Sequence, residues 1–576
     1  MDKRDRRKVG GGSRKHERKN QQIPNHIYLL AIAFLLLVVV GMIFVIRRYT
    51  PTKEHMSLSD YFTLTEENQA AVILNGEYKE VSDSDIATDQ GVYLEISFLK
   101  SNLDDGYVYD TTEGVLRYVT DQDVVSASLN SDAYTVGKSR ESLGKDVVVS
   151  QNGAYFVSAD FVKLYTDMSF ELFDSPNRVA GYEKKVASLK RDAALRRFGG
   201  VKSKILKDAK KGDQLTILEN YGKWSHVLTE DGVLACVQNR RLSKSEKQTV
   251  EATLPERTYN HITVKDPIVM GWHQVTSQSA NSGVSQVVAG TGLNVISPTW
   301  FSISSNDGDI SSLASSDYVD TAHQNDMEVW GLMDNFSTDI DTDTVLGTTT
   351  SRENLEGQLI TEALNYQLDG INIDIESLPE ETSESYVQFM RELSVKCRNN
   401  NLVLSVDVPP PYSFNEHYSQ KELGEVVDYV IIMGYDEHYV GSDAGSVASL
   451  SYERDGITGT LENVPKEKII SGIPFYTRLW KTNASGEVSS EAIGMDKADQ
   501  ILSDYKVTAG WSSETSQDYA EFTDEDGNFC QIWLENEASI EEKMKLVQEY
   551  GLAGVAEWKL GFERSSIWDV IAKYVN

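Results

Sequence analysis

A chain of 576 residues has room for several domains, and 40% hydrophobic with 25% charged residues is ordinary for globular protein. The net charge of −33 is not ordinary: residues 1–26 hold nine Lys/Arg against Asp2, Asp5 and Glu17, a net +6, which leaves −39 for the remainder. So acidic a remainder argues against nucleic acid and against a polyanionic substrate, and it fits solubility and a neutral or cationic ligand.

The first element is "IYLLAIAFLLLVVVGMIFVI", residues 27–46, twenty residues without a charge and long enough to cross a bilayer as a helix. A cleaved signal peptide has a shorter apolar stretch and a small-residue cleavage site. Here Arg47-Arg48 follows at once. The basic tail of residues 1–26 outweighs those two arginines, which predicts a cytoplasmic N-terminus and everything from about residue 50 outside the cell membrane, a single-pass type II arrangement.

Residues 51–69 are polar and read as a spacer. Over residues 70–182, short apolar alternations such as "VYLEISF" and "GVLRYVT" are broken by Asp, Asn and Gly, predicting a strand-rich domain. "GVYLEISFLKSNL" followed by "GAYFVSADFVKLY" resembles the stalk domain that precedes the catalytic part of copper amine oxidases. That module recurs in bacterial wall proteins, where it implies a spacer and no copper.

Residues 184–243 reverse the charge, with eleven Lys/Arg between Lys184 and Lys211 against Asp192 and Asp208. The Leu-Arg before a Gly turn, the turn at Lys211-Gly212, Trp224 and an apolar last strand after Asp231-Gly232 resemble a bacterial SH3-like domain. The resemblance implies binding of cell-wall peptides, and the basic island suits an anionic wall polymer. The Gly-Trp or Gly-Tyr usual in the last strand is replaced by Ala235-Cys236. The alternative for the lysines and arginines is a solvated basic face.

From residue 265 to 576 the rhythm changes. Eight apolar runs, "PIVMGWHQV", "LNVISPTWFSI", "MEVWGLMDNF", "LDGINIDIE", "NLVLSVDVP", "VDYVIIMGYD", "IISGIPFYTRLW" and "GLAGVAEWKL", mostly alternate with helix-like segments. That is the pattern of a (β/α)8 barrel, so the expected fold is multidomain: an α/β TIM barrel preceded by small β-rich domains and one transmembrane helix. Residues 482–535 are too long for one crossover and predict an inserted lobe. "SIEEKMKLVQEYGLAG" predicts a helix opened by a Ser539…Glu542 capping box and closed at Gly551.

In "LDGINIDIESLP", Asn372, Asp374 and Glu376 are spaced two apart, so a strand points them one way and Ile371, Ile373 and Ile375 the other. Two carboxylates at the end of an apolar strand are costly unless they have work to do, and the C-terminal strand ends of a barrel form its active site. The D-G-x-x-x-D-x-E pattern at Asp369, Gly370, Asp374 and Glu376, "MGYD" with Met433, Tyr435 and Asp436, and "EWKLGFE" with Trp558 resemble glycoside hydrolase family 18, most of all its bacterial peptidoglycan and spore-cortex branch.

The resemblance implies a glycosidase with no protein nucleophile. Glu376 is the general acid, Asp374 orients the substrate's 2-acetamido group as it attacks, and Tyr435 hydrogen-bonds the acetamide. Asp436, Trp558, Asn372 and Met433 contribute to substrate binding. The implied substrate is an N-acetylglucosamine-containing glycan, peptidoglycan ahead of chitin, and no metal or organic cofactor is implied. Asp374 nearby is expected to raise the acidity constant of Glu376 by like-charge repulsion. Asn372 stands where many members carry Asp; it can hydrogen-bond Asp374 but cannot take a proton from it, so an altered pH dependence is expected. Trp272, Trp300 and Trp330 read as core and His273 and His438 as structural. The three cysteines, Cys236, Cys397 and Cys530, have neither disulfide nor zinc spacing. The competing function is a non-catalytic wall-binding protein that uses the barrel as a lectin; retention of Glu376 argues against it.

Overall fold

The computed structural model describes residues 25–63, 71–74, 77–79, 85–88, 91–166, 171–173, 178–181, 185–247, 259–264 and 267–575. Most of the basic tail, the end of the spacer after residue 63 and the connection at 248–258 lie outside them. The chain divides into two compact units, Met1–Asp83 with Ser169–Glu251, and Ser84–Met168 with Ala252–Asn576.

In the first unit one helix among the described residues, Asn25–Tyr49, is long and apolar enough to cross a membrane, and no residue of its apolar stretch is buried in the protein. A seven-stranded sheet is built from Lys185–Ser188, Ala193–Arg196, Ile205–Ala209, Gln214–Tyr221, Trp224–Thr229, Leu234–Gln238 and Glu246–Lys247. Its core is Leu195, Leu215, Val227, Ala235 and Val237. A second, smaller sheet pairs Ala71–Leu74 in parallel with Arg178–Gly181. The three cysteines are all buried free thiols, Cys236 in this unit and Cys397 and Cys530 in the other.

The second unit holds the barrel. Its strands are β1 (Ile268–His273), β2 (Val295–Ile303), β3 (Glu328–Asp334), β4 (Gly370–Asp374), β5 (Val403–Val408), β6 (Tyr429–Met433), β7 (Ile469–Pro474) and β8 (Gly554–Trp558). All eight are parallel to their neighbours, and β1 pairs with both β2 and β8, so the sheet closes. Each expected apolar run is one of these strands. Period-two alternation splits their side chains into two cores. Met270, Trp272, Trp330, Leu332, Ile431 and Ala556 fill the barrel interior. Val269, Ile296, Val329, Ile371 and Ile373 pack outward under the helices.

The expected 70–182 domain is divided between the units. Residues of its middle part form antiparallel sheets in the same unit as the barrel, among them the five-stranded meander from Val108–Asp110 to Ser139–Ser142. This part is fixed to α1 (Thr349–Tyr366) and α2 (Ser383–Asn399), the helices flanking β4. Arg117 reaches Glu392 through Nε at 2.8 Å and Glu353 through Nη1 at 2.7 Å. Arg391 reaches Asp105 at 2.8 Å, and the Asp110 carboxylate accepts from the Thr349 N–H at 2.7 Å.

The inserted lobe begins slightly earlier than expected, at the strand Tyr476–Thr482, and forms a five-stranded sheet with the helix Met495–Tyr505 across its strands. Lys543, buried on the last long helix of the barrel, joins Glu453 at 2.8 Å to Glu535 at the lobe's end at 3.5 Å. That helix, Glu537–Tyr550, starts earlier than the Ser539…Glu542 pattern suggests. Its cap is Asn536, and Ser539 is the reciprocal third residue of the box; Asn536 caps as well as a serine and lies two residues beyond the lobe strand Phe529–Leu534. Gly551 ends the helix with φ of 63°, as expected.

Candidate active site

At the C-terminal end of the barrel, β3, β4 and β5 each deliver a carboxylate. Asp334 pairs in register with Asp374. On the other side Asn372 lies beside Ser405 and Ile373 beside Val406, which brings Asp407 next to Asp374. All three acids are buried, and Glu376, two residues beyond Asp374, opens to solvent.

Asn372 is wholly buried and its amide is fully used. Its Oδ1 accepts from Trp272 Nε1 at 3.0 Å and Ser297 Oγ at 3.2 Å. Its Nδ2 donates to Ser405 Oγ at 3.1 Å and Asp407 Oδ1 at 2.8 Å. Four bonds of fixed polarity leave it no freedom to turn. Asp374 is the opposite case: its Oδ1 has no hydrogen-bond partner among the described residues. Burial first, then the neighbouring charges of Asp407, Glu376 and Asp334, push the Asp374 carboxyl well above the ordinary carboxylate range. Asp407 is raised in the same way, by burial against the opposing pull of the Asn372 amide.

Asn335, the residue after β3, clasps the backbone of Glu376 from both sides: its Oδ1 accepts from the Glu376 N–H and its Nδ2 donates to the Glu376 carbonyl, both at 3.0 Å. Two bonds from one amide fix where the strand end emerges, and with it the root of the Glu376 side chain. The Glu376 carboxyl is raised, as expected, but the causes are partial burial, then Asp436 and Asp334. Asp374 and Glu376 also repel one another, and that repulsion adds to the rise of the Asp374 carboxyl.

Tyr435 and Trp558 stand around Trp272, with ring centroids 6.3 and 5.9 Å from it in edge-to-face arrangement. Both are half-buried, presenting a face to the barrel mouth. The charges of Asp407, Asp374 and Glu376 all bear on the Tyr435 hydroxyl and, after burial, help to hold it protonated. Asp436, exposed and at φ of 58°, accepts from Tyr476 Oη at 2.5 Å and has Arg478 at 3.9 Å. Met433 ends β6, half-buried beside these groups in sequence. Trp272, Trp300 and Trp330 are core residues, although Trp272 also holds Asn372. His273 bonds Tyr318 at 2.9 Å and burial lowers it to about 4, a structural neutral imidazole.

The roles of Asn335 and Asp407 escape a reading of the sequence. Each is visible there only as a polar residue at a strand end, and its partner lies 41 or 35 residues away.

A closed parallel barrel whose rim gathers carboxylates held toward their acid form, beside an aromatic wall, has the architecture of a barrel glycoside hydrolase. Comparison with known proteins makes this specific. Residues 330–563, from β3 past β8, match the model for glycosyl hydrolases family 18, and the barrel is a family 18 domain. The chain is similar to YdhD of Bacillus subtilis, provisionally described as a sporulation-specific glycosylase, at 30% identity over 39% of this chain and 54% of that one. It is also similar to the cortical fragment-lytic enzyme of Bacillus subtilis, at 26% identity over 40% of this chain and 56% of that one. It thus spans about half the length of these two relatives. The solved structure of the Bacillus cereus spore cortex-lytic enzyme SleL shares the fold, with a TM-score of 0.50 at 20% identity over 57% of this chain and 79% of that one.

Proposed function

We propose that the protein is a membrane-anchored glycosidase of the N-acetylglucosaminidase/chitinase type. It hydrolyses β-1,4 bonds of N-acetylglucosamine-containing polymers outside the cell, peptidoglycan ahead of chitin, by substrate-assisted retaining catalysis. The observation that carries the reading is Glu376: a carboxyl clasped at its backbone by Asn335, raised toward the acid form, and two residues from a buried aspartate with an unpartnered oxygen.

In this reading the Glu376 proton passes to the glycosidic oxygen as the bond from that oxygen to C1 breaks. The acetamido oxygen of the same sugar bonds to C1, giving a cyclic oxazolinium cation. Asp374, ionised, accepts the acetamide N–H and offsets the positive charge. Tyr435 donates to the acetamide oxygen, Trp558 lies under the apolar face of the sugar, and Asp436 and Met433 complete the pocket; Asn372, expected to touch substrate, is instead wholly buried beneath it and holds Trp272 and Asp407. Water then adds to C1 as the oxazolinium opens, and Glu376 takes its proton back, so C1 keeps its configuration. The spore-cortex names of the relatives favour a wall polymer. The apolar helix Asn25–Tyr49 is the anchor of a type II protein in the cell membrane. The SH3-like reading of 184–243 makes the basic sheet domain a contact for wall peptide or an anionic wall polymer, and the amine-oxidase-like reading of 70–182 makes that segment a spacer.

The test is full-length protein in detergent, wild type and Glu376→Gln, with purified peptidoglycan and separately with N-acetylglucosamine oligomers, products read by mass spectrometry. Wild type is expected to release fragments with N-acetylglucosamine at the new reducing end, and the variant to fall by at least about a hundredfold. Equal binding by both proteins with no cleavage by either refutes the enzyme and leaves the lectin reading.

A further inference from the structure

Substrate-assisted chemistry asks two things of Asp374. It must be ionised when it meets the acetamide, and it must be tolerated in a buried, acid-crowded place when it does not. A neighbouring carboxyl able to hold a proton meets both needs. On its own strand the candidate position is Asn372, and an amide cannot hold that proton. Asn372 cannot even reorient, because all four of its hydrogen bonds are made.

The position that can do this lies on the next strand. Asp407 is 1% exposed, follows Asp374 in the β4–β5 register, and is locked through its Oδ1 to Asn372 Nδ2 at 2.8 Å. That bond consumes one Asp407 oxygen and fixes the side chain inside the barrel. Asp374, 6% exposed, keeps one oxygen without a partner. We propose that Asp407 is the positioning residue that shares a single proton with Asp374, with Asn372 as the rigid strut between β4 and β5. The inference rests on the substrate-assisted reading above. Without substrate the pair holds one proton and one negative charge. When the acetamide N–H arrives, the shared proton settles on Asp407 and leaves the negative charge on Asp374; no other atom is transferred.

The surroundings support one shared proton and not two free carboxylates. Around the pair stand Trp272 from β1, Asp334 from β3, Glu376 from β4, Ser405 from β5, Tyr435 from β6 and Tyr386 from α2. None of these side chains is a cation. Two like charges so placed in an interior without a counter-ion cannot both persist, and the pair titrates as a unit.

The experiment uses the full-length protein in detergent. Asp407→Asn is expected to lower kcat about 10–100-fold with little change in KM. The acidic limb of its kcat/KM profile moves to higher pH, since Asp374 loses the neighbour whose shared proton stabilises its anion. Asn372→Asp combined with Asp407→Asn returns a carboxyl to the pair and restores kcat to within a few-fold of wild type. Unchanged kcat and pH profile in Asp407→Asn, or no rescue by the double variant at equal thermal stability, overturns the proposal. Loss of activity in Glu376→Gln is the separate control: if that variant stays active, the parent reading fails instead. A readout on wild type needs no variant to fold: with aspartate side chains isotope-labelled, infrared spectroscopy at neutral pH is expected to show a protonated buried aspartic acid. Its absence also overturns the proposal.

Discussion

Arg117 offers a quantitative test of how the meander is held to the barrel. Its guanidinium is 6% exposed and touches two carboxylates, one of which, Glu392, is wholly buried. Substituting Arg117→Ala leaves Glu392 with Arg352 at 3.0 Å and Gln388 at 2.8 Å. Breaking a buried pair by removing one partner costs about 3–5 kcal/mol, and the surviving Arg352 sets the expectation at the lower end, about 3 kcal/mol. The unit is about 400 residues long, so its unfolding entropy near the midpoint is about 0.9 kcal/mol/K and Tm should fall by about 3–4 °C. Glu353, half-exposed, is the internal control, with Glu353→Ala costing at most about 1 kcal/mol. Burial raises Glu392, but Arg117 and Arg352 more than offset this and hold it at about 2. Its folded value lies below the unfolded one, so its stabilisation is complete above about pH 4.3 and is lost as pH falls toward 2. In Arg117→Ala that acid loss begins at higher pH. Differential scanning calorimetry of the full chain measures both effects. A variant whose Tm stays within about 1 °C of wild type, with the same acid profile, would refute the argument that this ion pair fixes the meander.

Gly554→Ala should disrupt barrel closure, because a Cβ there lies 2.1 Å from the Ile268 carbonyl oxygen on β1. A loss of about 3 kcal/mol is expected in chemical denaturation, against no change for Gly510→Ala, which has open space around it. The raised Glu376 carboxyl stays protonated to higher pH than an ordinary glutamate, so the basic limb of kcat/KM should lie above the usual carboxylate range. Asp436→Asn removes a repelling charge and should move that limb to lower pH; a limb that stays put means Asp436 does not act on Glu376.

The barrel is legible in the sequence because each strand is buried on both faces and so reads as a nearly continuous apolar run. The site is legible at β4 because Asn372, Asp374 and Glu376 interrupt that run with a period of two. What the sequence conceals comes from closure and docking. Asp334 and Asp407 look like unrelated strand-end acids until the sheet curls and sets them on either side of Asp374. The repulsion between Asp374 and Glu376 follows from their spacing along the strand, but burial and the charges of Asp436 and Asp334, which also raise Glu376, come from other strands and have no local signal. The division of 70–182 follows from contacts such as Arg117 with Glu392, 275 residues apart, which no local pattern announces. The displaced helix cap is a smaller case, two acceptable caps three residues apart being separated only by where the preceding strand ends.

The parallel pairing of Ala71–Leu74 with Arg178–Gly181 sets an order of events at the ribosome. The first of these strands is made about 100 residues before its partner, a delay of about 5–20 s at ordinary translation rates. Meanwhile the intervening meander, built from neighbouring antiparallel hairpins, has all of its strand partners at hand. The early strand has only its hairpin mate Glu77–Lys79 and shows an open edge to whatever else is unfolded nearby. Until residues 178–181 emerge, that edge is the segment most in need of an escort.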